Sequence, residues 1–290
     1  MRVAVTGAGG FLGSHLTKRL RERLPDASVV GVVRRLPEEQ VAGVRYMNRL
    51  EPVDLVFHLA GGGGIAAAQE DPRGDLLLNT ATTVEVLEQI RQVGVGRLVA
   101  ASSAAVYGRA HGSVSEDQPP APASPYGVSK LASELYVHAY ERLYGVSSSI
   151  ARVGNAYGPG QRQLVIYDLA VRALRAAPPL HLRGTGEEVR DFIHVSDVVD
   201  ALIAIGLHGE PGATYNVASG RHSTMLEVAT LVGNAAGLEA GTVTTDGRGE
   251  LGKVSVFCPS IERLTNLGFK AQMPLERGIE ETVAWVRKQR

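Results

Sequence analysis

The chain begins with a short apolar strand that runs directly into a turn with three regularly spaced glycines. The strand covers residues 3–5, and Gly7, Gly10 and Gly13 precede a helical pattern of apolar side chains. Glycine permits a tight turn and lets backbone amides approach a pyrophosphate at the N-terminus of the next helix. Such a turn can exist without a ligand. At the first strand of an alternating strand–helix chain, however, it favours a nucleotide-binding turn.

Apolar runs alternate with helical patterns through the first half of the chain. Continuous apolar strands alternating with helices are typical of a parallel sheet with helices on both faces. We therefore predict an α/β fold, a Rossmann-like doubly wound parallel sheet. Its predicted strands are 3–5, 29–33, 54–60, 97–101 and 147–152, and its predicted helices include 79–93 and 126–144. Ligands of such sheets bind beyond the carboxyl ends of the strands, where Gly7, Arg34, Ala60, Ser103 and Asn155 stand.

The character of the sequence changes near Gly158: prolines become more frequent, and the predicted helices and strands become shorter. We predict a dinucleotide-binding Rossmann domain over 1–157 and a smaller α/β substrate-binding lobe over 158–290. The two are expected to interleave, with part of 190–210 returning to the first domain.

Composition excludes several classes of function. Thirty basic residues balance thirty acidic ones, so nothing indicates a nucleic-acid or membrane-surface partner. Cys258 is the only cysteine, which excludes an intramolecular disulfide and favours a reducing cytoplasm. The first strand starts at residue 2 and no apolar run reaches membrane-spanning length, so we expect neither a signal peptide nor a membrane anchor. We expect no metal site.

A second motif lies at Ser124-Pro-Tyr126-Gly-Val-Ser-Lys130. Ser124 is a good N-cap and proline is favoured at the first helical position, so a helix is predicted to start here. Tyr126 and Lys130 then lie one turn apart on the same face. The helix dipole and the ammonium are both expected to favour the phenolate, as a proton donor and acceptor for an alcohol–ketone interconversion requires.

Together with these two motifs, further short segments resemble one family over nearly the whole chain. The segments are Thr6-Gly7-Ala-Gly-Gly10-Phe-Leu-Gly13, His58-Leu59-Ala60, Asn79, Ser102-Ser103-Ala-Ala-Val-Tyr-Gly108, Tyr126-x-x-x-Lys130, Arg152-Val-Gly-Asn155-Ala-Tyr-Gly-Pro-Gly-Gln161, Gly184-Thr-Gly186, Arg190-Asp-Phe-Ile-His-Val-Ser-Asp197 and Tyr215-Asn-Val-Ala-Ser-Gly220. The chain resembles the extended short-chain dehydrogenase/reductases, in their nucleotide-sugar epimerase/dehydratase branch.

The resemblance implies a role for each matching residue. Tyr126 would be the acid/base on the sugar hydroxyl, Ser103 would hydrogen-bond the same oxygen, and Lys130 would hold the nicotinamide ribose. Asn155, Arg190 and Arg248 would hold the nucleotide and diphosphate of the substrate, since arginine grips phosphate oxygens well. Without the resemblance, Arg190 would be interpreted as an ion-pair partner of Asp191 or Asp197, and His58 is interpreted as structural. The cofactor-binding set would be Gly7, Gly10, Phe11, Leu12, Gly13, Arg34, Arg35, Leu59, Ala60 and Lys130.

Two departures from the family pattern narrow the reaction. NAD-using relatives carry an acid at the end of the second strand, whereas this chain has Arg34 and Arg35, which could pair with a 2′-phosphate. NADP(H) is therefore favoured, with NAD(H) as the alternative. Dehydratase relatives carry an acid two places after the catalytic Ser/Thr, where this chain has Ala105. Dehydration is therefore disfavoured, unless Glu116 from the adjacent loop substitutes.

What remains is hydride transfer at C4 of a nucleotide-activated hexose. A dissociable NADPH suits an NDP-4-keto-hexose reductase, which is the prediction drawn from Arg34. The alternative is an NDP-hexose 4-epimerase with tightly bound NAD. A non-catalytic redox sensor on the same fold would have a damaged catalytic set, whereas Ser103, Tyr126 and Lys130 are all present. The resemblance also implies a homodimer through the helices around 79–93 and 126–144.

Overall fold

The computed structural model describes residues 1–175, 179–239, 241–248 and 256–289. Its strands are β1 (Arg2–Thr6), β2 (Ser28–Val32), β3 (Arg45–Met47), β4 (Val53–His58), β5 (Val95–Ser103), β6 (Gly112–Val114), β7 (Ser148–Val153), β8 (Asn155–Tyr157), β9 (Leu180–Leu182), β10 (Val189–His194), β11 (Thr214–Val217), β12 (His222–Thr224), β13 (Val243–Thr245) and β14 (Val256–Pro259). Its α-helices are α1 (Phe11–Arg23), α2 (Ile65–Glu70), α3 (Pro72–Leu76), α4 (Thr82–Val93), α5 (Pro125–Tyr144), α6 (Leu164–Arg175), α7 (Val195–His208), α8 (Met225–Ala236), α9 (Glu262–Asn266) and α10 (Leu275–Lys288).

Seven strands form one parallel sheet in the order β11-β7-β5-β4-β1-β2-β3, which confirms the predicted doubly wound α/β fold. All six residues of β7 are buried, as expected for a strand covered on both faces. The edge strand β3 was not predicted, because three partly exposed residues make no apolar run.

A second, smaller sheet has the order β12-β10-β14-β6, with β8 also paired to β10. Helices α6, α8 and α10 pack together beside it around a separate apolar core. The chain passes between the two sheets more than once. Strand β6, from the first half of the chain, pairs with β14, whereas β11 and α7 pack with the seven-stranded sheet.

Helix α5 begins where the sequence predicts. The Ser124 side chain accepts a hydrogen bond from the amide of Gly127 at 3.2 Å, and Pro125 occupies the first helical position. The helix ends at Gly145, which has a left-handed backbone with φ of +70°. Helix α4 is preceded by a π-helical turn, Leu77–Ala81, that the sequence analysis did not predict.

The helices in the described parts of the chain include none that combines the length and the apolar character needed to cross a bilayer.

Candidate active site

A cavity of about 2270 Å³ lies between the carboxyl ends of the large sheet and the second sheet. It brings together nearly all of the residues that the sequence analysis selected. Those that line it are Gly7, Gly10, Phe11, Leu12, Gly13, Arg34, Arg35, Leu59, Ala60, Ser103, Tyr126, Lys130, Asn155 and Arg190. Arg248 is the exception: it is exposed and lies just beyond Gly247, which does line the cavity.

The glycine turn fits a dinucleotide pyrophosphate. A Cβ on Gly13 would lie 2.1 Å from the carbonyl oxygen of Gly7, so the first turn of α1 can pack against the loop only with glycine there. Gly10 caps α1 without a side-chain hydrogen bond, and the first turn of the helix carries no acidic residue. Phe11, Leu12 and Gly13 of this first turn line the cavity, where the amides of a positive helix end can donate to an anion.

Arg34, at the end of β2, is paired with an acidic residue from α4. Its Nη2 donates to Glu85 Oε2 at 3.3 Å and to Thr82 Oγ1 at 3.1 Å, and all three residues line the cavity. The side chains of Arg34 and Glu85 are 72% and 63% exposed, so the pair itself contributes little to stability. Its effect is on charge, because a carboxylate now lies beside the arginine that was predicted to meet a 2′-phosphate.

Ser103 and Tyr126 meet at the floor of the cavity. Ser103 Oγ accepts from the amide of Ala105 at 3.2 Å, which leaves its own proton for a hydrogen bond to the Tyr126 phenol oxygen. Helix α5 comes this close because residue 127 is glycine: a Cβ there would lie 2.6 Å from the carbonyl oxygen of Ala105.

The pKa of Tyr126 is raised, which corrects the expectation that its surroundings favour the anion. Burial of the phenol is the largest cause, and the negative charge of Asp75 adds to it. The hydrogen bond from Ser103 acts in the opposite direction but is outweighed. Within the protein alone, the phenol is thus held in its neutral, proton-donating form.

Lys130 lies one turn along α5 with its amine in a desolvated position. Its Nζ donates to the carbonyl oxygen of Ala101 at 3.1 Å, and burial lowers its pKa to about 8. Two carboxylates, Asp75 and Glu134, oppose that decrease in the pKa of Lys130.

His58, at the end of β4, is buried and hydrogen-bonded through both ring nitrogens, to Thr6 and Thr83. These bonds agree with a structural role.

A buried polar network supports α5 from below. Arg152 on β7 donates through Nε and Nη2 to the Glu134 carboxylate and through Nη1 to the Tyr107 hydroxyl, at 2.7–3.0 Å for the shortest contacts. Glu116 belongs to the same network, because its Oε1 accepts from the amide of Asn216 at 2.8 Å. Glu116 is buried and does not line the cavity, whereas Ala105 lines it. Glu116 is therefore not placed to substitute for the missing acid at residue 105.

Asn155 and Arg190 lie where the large cavity meets a smaller one of about 270 Å³, which is lined by both residues. Asn155 Nδ2 donates to the carbonyl oxygen of Asp191, and Arg190 Nη1 donates to that of Val189. The Asp191 carboxylate accepts from the amides of Ser219 and Gly220.

Asp197 is likewise bound to backbone, because its carboxylate accepts from the amides of Gln272 and Met273. Both acids that the sequence offered as ion-pair partners of Arg190 are therefore engaged with backbone amides. Over the described ranges, no group of three or more His, Cys, Asp or Glu residues is arranged to hold a metal ion.

Sequence reasoning missed two acidic residues at this site, Glu85 and Asp75. Glu85 lies in the predicted helix 79–93, to which the sequence analysis gave only a dimer contact. Asp75 lies in a stretch to which it gave no role. Their partners Arg34, Tyr126 and Lys130 are about 50 residues away, so no local pattern carries the signal.

The comparisons with known proteins agree with this geometry. A model of the NAD-dependent epimerase/dehydratase family matches residues 3–218. This chain belongs to that family. It is an α/β enzyme of the NAD-dependent nucleotide-sugar epimerase/dehydratases, which confirms the resemblance seen in the sequence.

Individual relatives extend the similarity over the full length. The UDP-glucose 4-epimerase of Mycolicibacterium smegmatis is 31% identical over 319 residues, with 99% of each chain covered. The structure of the Thermus thermophilus UDP-glucose 4-epimerase in complex with NAD is 30% identical, with a TM-score of 0.85 and 99% of each chain covered. MoeE5, solved in complex with UDP-glucuronic acid and NAD, is 32% identical, with a TM-score of 0.85 and complete coverage of both chains.

Proposed function

We propose that this epimerase/dehydratase family member is an NDP-hexose 4-epimerase that retains NAD. The similar proteins named above include two UDP-glucose 4-epimerases, and two of the similar structures contain NAD. These likenesses favour the epimerase over the 4-keto-hexose reductase, which the sequence analysis had placed first on the evidence of Arg34.

The observation that carries the proposal is the pairing of Arg34 with Glu85. The reductase prediction depended on Arg34 offering an uncompensated positive charge to a 2′-phosphate. With Glu85 at 3.3 Å, this end of the cavity has no net positive charge from the pair, and the carboxylate would repel a third phosphate. A ribose with two free hydroxyls, as in NAD, meets no such penalty and can donate to an acceptor there.

The glycine turn, Leu59 and Ala60 suit a bound dinucleotide, and they line the same cavity as Ser103, Tyr126 and Lys130. The roles of these three residues follow from that arrangement. When bound, NAD supplies a hydride acceptor and donor for one sugar carbon. Tyr126 takes the proton of the C4 hydroxyl and returns it to the same oxygen, while Ser103 holds that oxygen by a hydrogen bond. Tyr126 must therefore be a phenolate before it takes this proton and again after it returns it, and the Lys130 ammonium stabilises that phenolate.

The smaller cavity and the second lobe are proposed to hold the substrate nucleotide. Asn155 and Arg190, which line both cavities, would bind the diphosphate between the sugar at Tyr126 and the nucleoside beyond. Arg248 would have to turn inward to join them, since it is exposed here. The assignment of 1–157 to the cofactor and 158–290 to the substrate is part of the same proposal.

A homodimer is proposed through α5. Its exposed apolar residues are Val128, Leu135, Tyr136, Leu143 and Tyr144. Residues 128, 135 and 143 recur at intervals of seven and eight, and 136 and 144 are next to the last two of them, which places all five on one side of the helix. Such a contiguous apolar face is typical of a protein–protein contact. The cytoplasmic setting expected from the single cysteine stays a prediction.

Mass spectrometry and turnover together test the function. Denaturing the purified protein should release NAD, and the enzyme should interconvert UDP-glucose or UDP-glucuronic acid with its C4 epimer when no cofactor is added. No net change in nicotinamide absorbance should accompany this turnover, because the hydride returns to the sugar. Stoichiometric consumption of NADPH with a 4-keto sugar, without epimerisation, would instead establish the reductase.

A further inference from the structure

Asp75, at the end of α3, is a buried carboxylate, and one of its two oxygens accepts no hydrogen bond from the described residues. The residue as a whole is 6% exposed. Oδ1 accepts from Asn79 Nδ2 at 2.9 Å, whereas Oδ2 has no hydrogen-bond partner among the residues that the structure describes. A buried carboxylate in this condition is costly unless a cation compensates for it.

The surroundings of Asp75 belong to the catalytic cavity. Helix α3 packs against α5, which carries Tyr126 and Lys130. Asn79 joins Asp75 to the cavity loop, because it also donates to the carbonyl oxygen of Gly62 and accepts from its amide. A Cβ on Gly63 would lie 3.7 Å from Asp75 Oδ1, so the carboxylate lies directly behind that loop.

The charge of Asp75 acts on both catalytic groups, and it raises the pKa of Tyr126 and that of Lys130. Glu134 on α5 also acts on Lys130, and the charge of Lys130 acts in turn on His58 on β4. His58 is neutral, because burial lowers its pKa to about 3. Glu134 is bound by Arg152, which compensates for most of its charge. Among the residues that the structure describes, Asp75 is therefore the carboxylate acting on Lys130 that has no ion pair of its own.

We propose that Asp75 is a positioning residue that keeps the Lys130 ammonium charged and in place behind Tyr126. The proposal rests on the proposed function, in which that ammonium stabilises the phenolate. Lys130 Nζ is bound to the Ala101 carbonyl oxygen and Asp75 Oδ1 to Asn79, so the attraction between the two charges acts through space, across the contact between α3 and α5. Without Asp75, the desolvated amine would lose its proton at a lower pH, and the phenol would ionise at a lower pH as well.

Asp75→Asn tests this, because the amide keeps an oxygen that can accept from Asn79 while the charge is removed. In the NAD-loaded enzyme, the alkaline limb of the pH profile, which follows Lys130, should move to lower pH. The acid limb, which follows Tyr126, should move in the same direction. A charge acting through a partly desolvated interior is worth about one pH unit at each limb. Asp75→Glu keeps the charge and should keep both limbs near their wild-type positions.

Asp71→Asn is the matched control. Asp71 accepts from the amide of Gly74 at 2.8 Å and caps α3, and asparagine caps a helix as well as aspartate does. The substitution therefore removes a negative charge from the same helix while the cap stays, and it should leave both limbs in place. Unmoved limbs in Asp75→Asn, or limbs displaced as far by Asp71→Asn, would overturn the proposal. If Asp75→Asn does not fold, Asp75→Ser carries the same expectation.

A second readout does not need the sugar. The phenolate absorbance of each variant, minus that of the same variant carrying Tyr126→Phe, follows the ionisation of Tyr126 alone. In the NAD-loaded protein this titration should shift to lower pH by about one unit in Asp75→Asn. A wild-type enzyme that epimerises nothing would end the proposed function, whereas an unshifted titration would end the role of Asp75.

Discussion

Arg34 Nη2 lies 3.3 Å from Glu85 Oε2, although the two residues are 51 positions apart in the chain. One belongs to the end of β2 and the other to the first turn of α4, so the contact exists only once the sheet and its helices are assembled. It changes what Arg34 offers to a cofactor, because the Glu85 carboxylate offsets the positive charge that this arginine alone would present to a 2′-phosphate.

Cofactor choice follows from this pair. The wild-type protein should bind NAD more tightly than NADP, and Glu85→Gln should raise the affinity for NADP about three- to tenfold relative to NAD, since a repulsive charge is removed. Dissociation constants for both dinucleotides at one modest salt concentration measure this. Glu88→Gln is the control, because Glu88 pairs with Arg91 outside the cavity. If the ratio of the NAD and NADP dissociation constants is unchanged in Glu85→Gln, Glu85 does not discriminate between the two cofactors.

Tyr126→Phe should lower kcat by at least about a hundredfold, the usual effect of losing a positioned acid/base. Bound NAD should be retained, because the phenol contributes no part of the glycine turn. Turnover of UDP-glucose and the NAD content of the purified variant are the measurements. Tyr136→Phe, on the same helix but outside the cavity, keeps the aromatic ring and should behave as wild type. Near-normal turnover in Tyr126→Phe would remove the phenol from the mechanism.

Arg190→Ala should act on binding rather than on chemistry. Losing one charge-assisted contact to a phosphate, worth about 1.5–3 kcal/mol, should raise KM roughly ten- to a hundredfold with little change in kcat. Arg183→Ala is the control, since Arg183 is exposed and does not line the cavity. If kcat falls while KM stays, Arg190 does not hold the diphosphate.

The α5 face can be tested by sedimentation. The wild-type protein should sediment as a dimer, and Leu135→Asp should convert it to a monomer, because a charge would be buried at the centre of the apolar face. Leu135 is 59% exposed, so the substitution should leave the fold intact. Leu207→Asp, at an exposed position on α7, should not change the mass. A wild-type monomer would exclude the proposed contact.

His58 makes stability depend on pH. Its pKa is lowered to about 3, so between pH 3 and about 6.5 the unfolded chain binds a proton there that the folded protein does not. The stabilisation is complete above pH 6.5 and decreases as the pH falls, by up to about 1.4 kcal/mol per unit. The difference in unfolding free energy between wild type and His58→Gln, from urea titrations, should shrink accordingly. His208→Gln, at an exposed position, should show no such trend.

The sequence alone located five of the seven strands of the large sheet, all but β3 and β11, and most of the residues that line the cavity. Strands such as β7 are continuous apolar runs, and Ser103, Tyr126 and Lys130 stand at strand ends or helix starts, where local patterns are clear. The strands β8 and β12 of the second sheet were not predicted, because three residues are too few to show an alternating apolar pattern.

The charges of the site were harder to predict. The direction of the Tyr126 pKa was wrong, since burial cannot be read from a spacing of four residues. Glu85 and Asp75 were missed for a related reason: each acts on a residue that only the folded chain brings near.

The pairing of β6 with β14 has a consequence for how the cleft can open. Residues 112–114 follow the turn after Ser103, yet they are hydrogen-bonded into the sheet of the other lobe through Phe257, Cys258 and Pro259. A hinge motion between the two sheets would have to break this seam or carry residues 112–114 along with the second sheet. In the second case the short connection that follows Ser103 would be pulled, so the seam restricts how far Ser103 and the second sheet can separate.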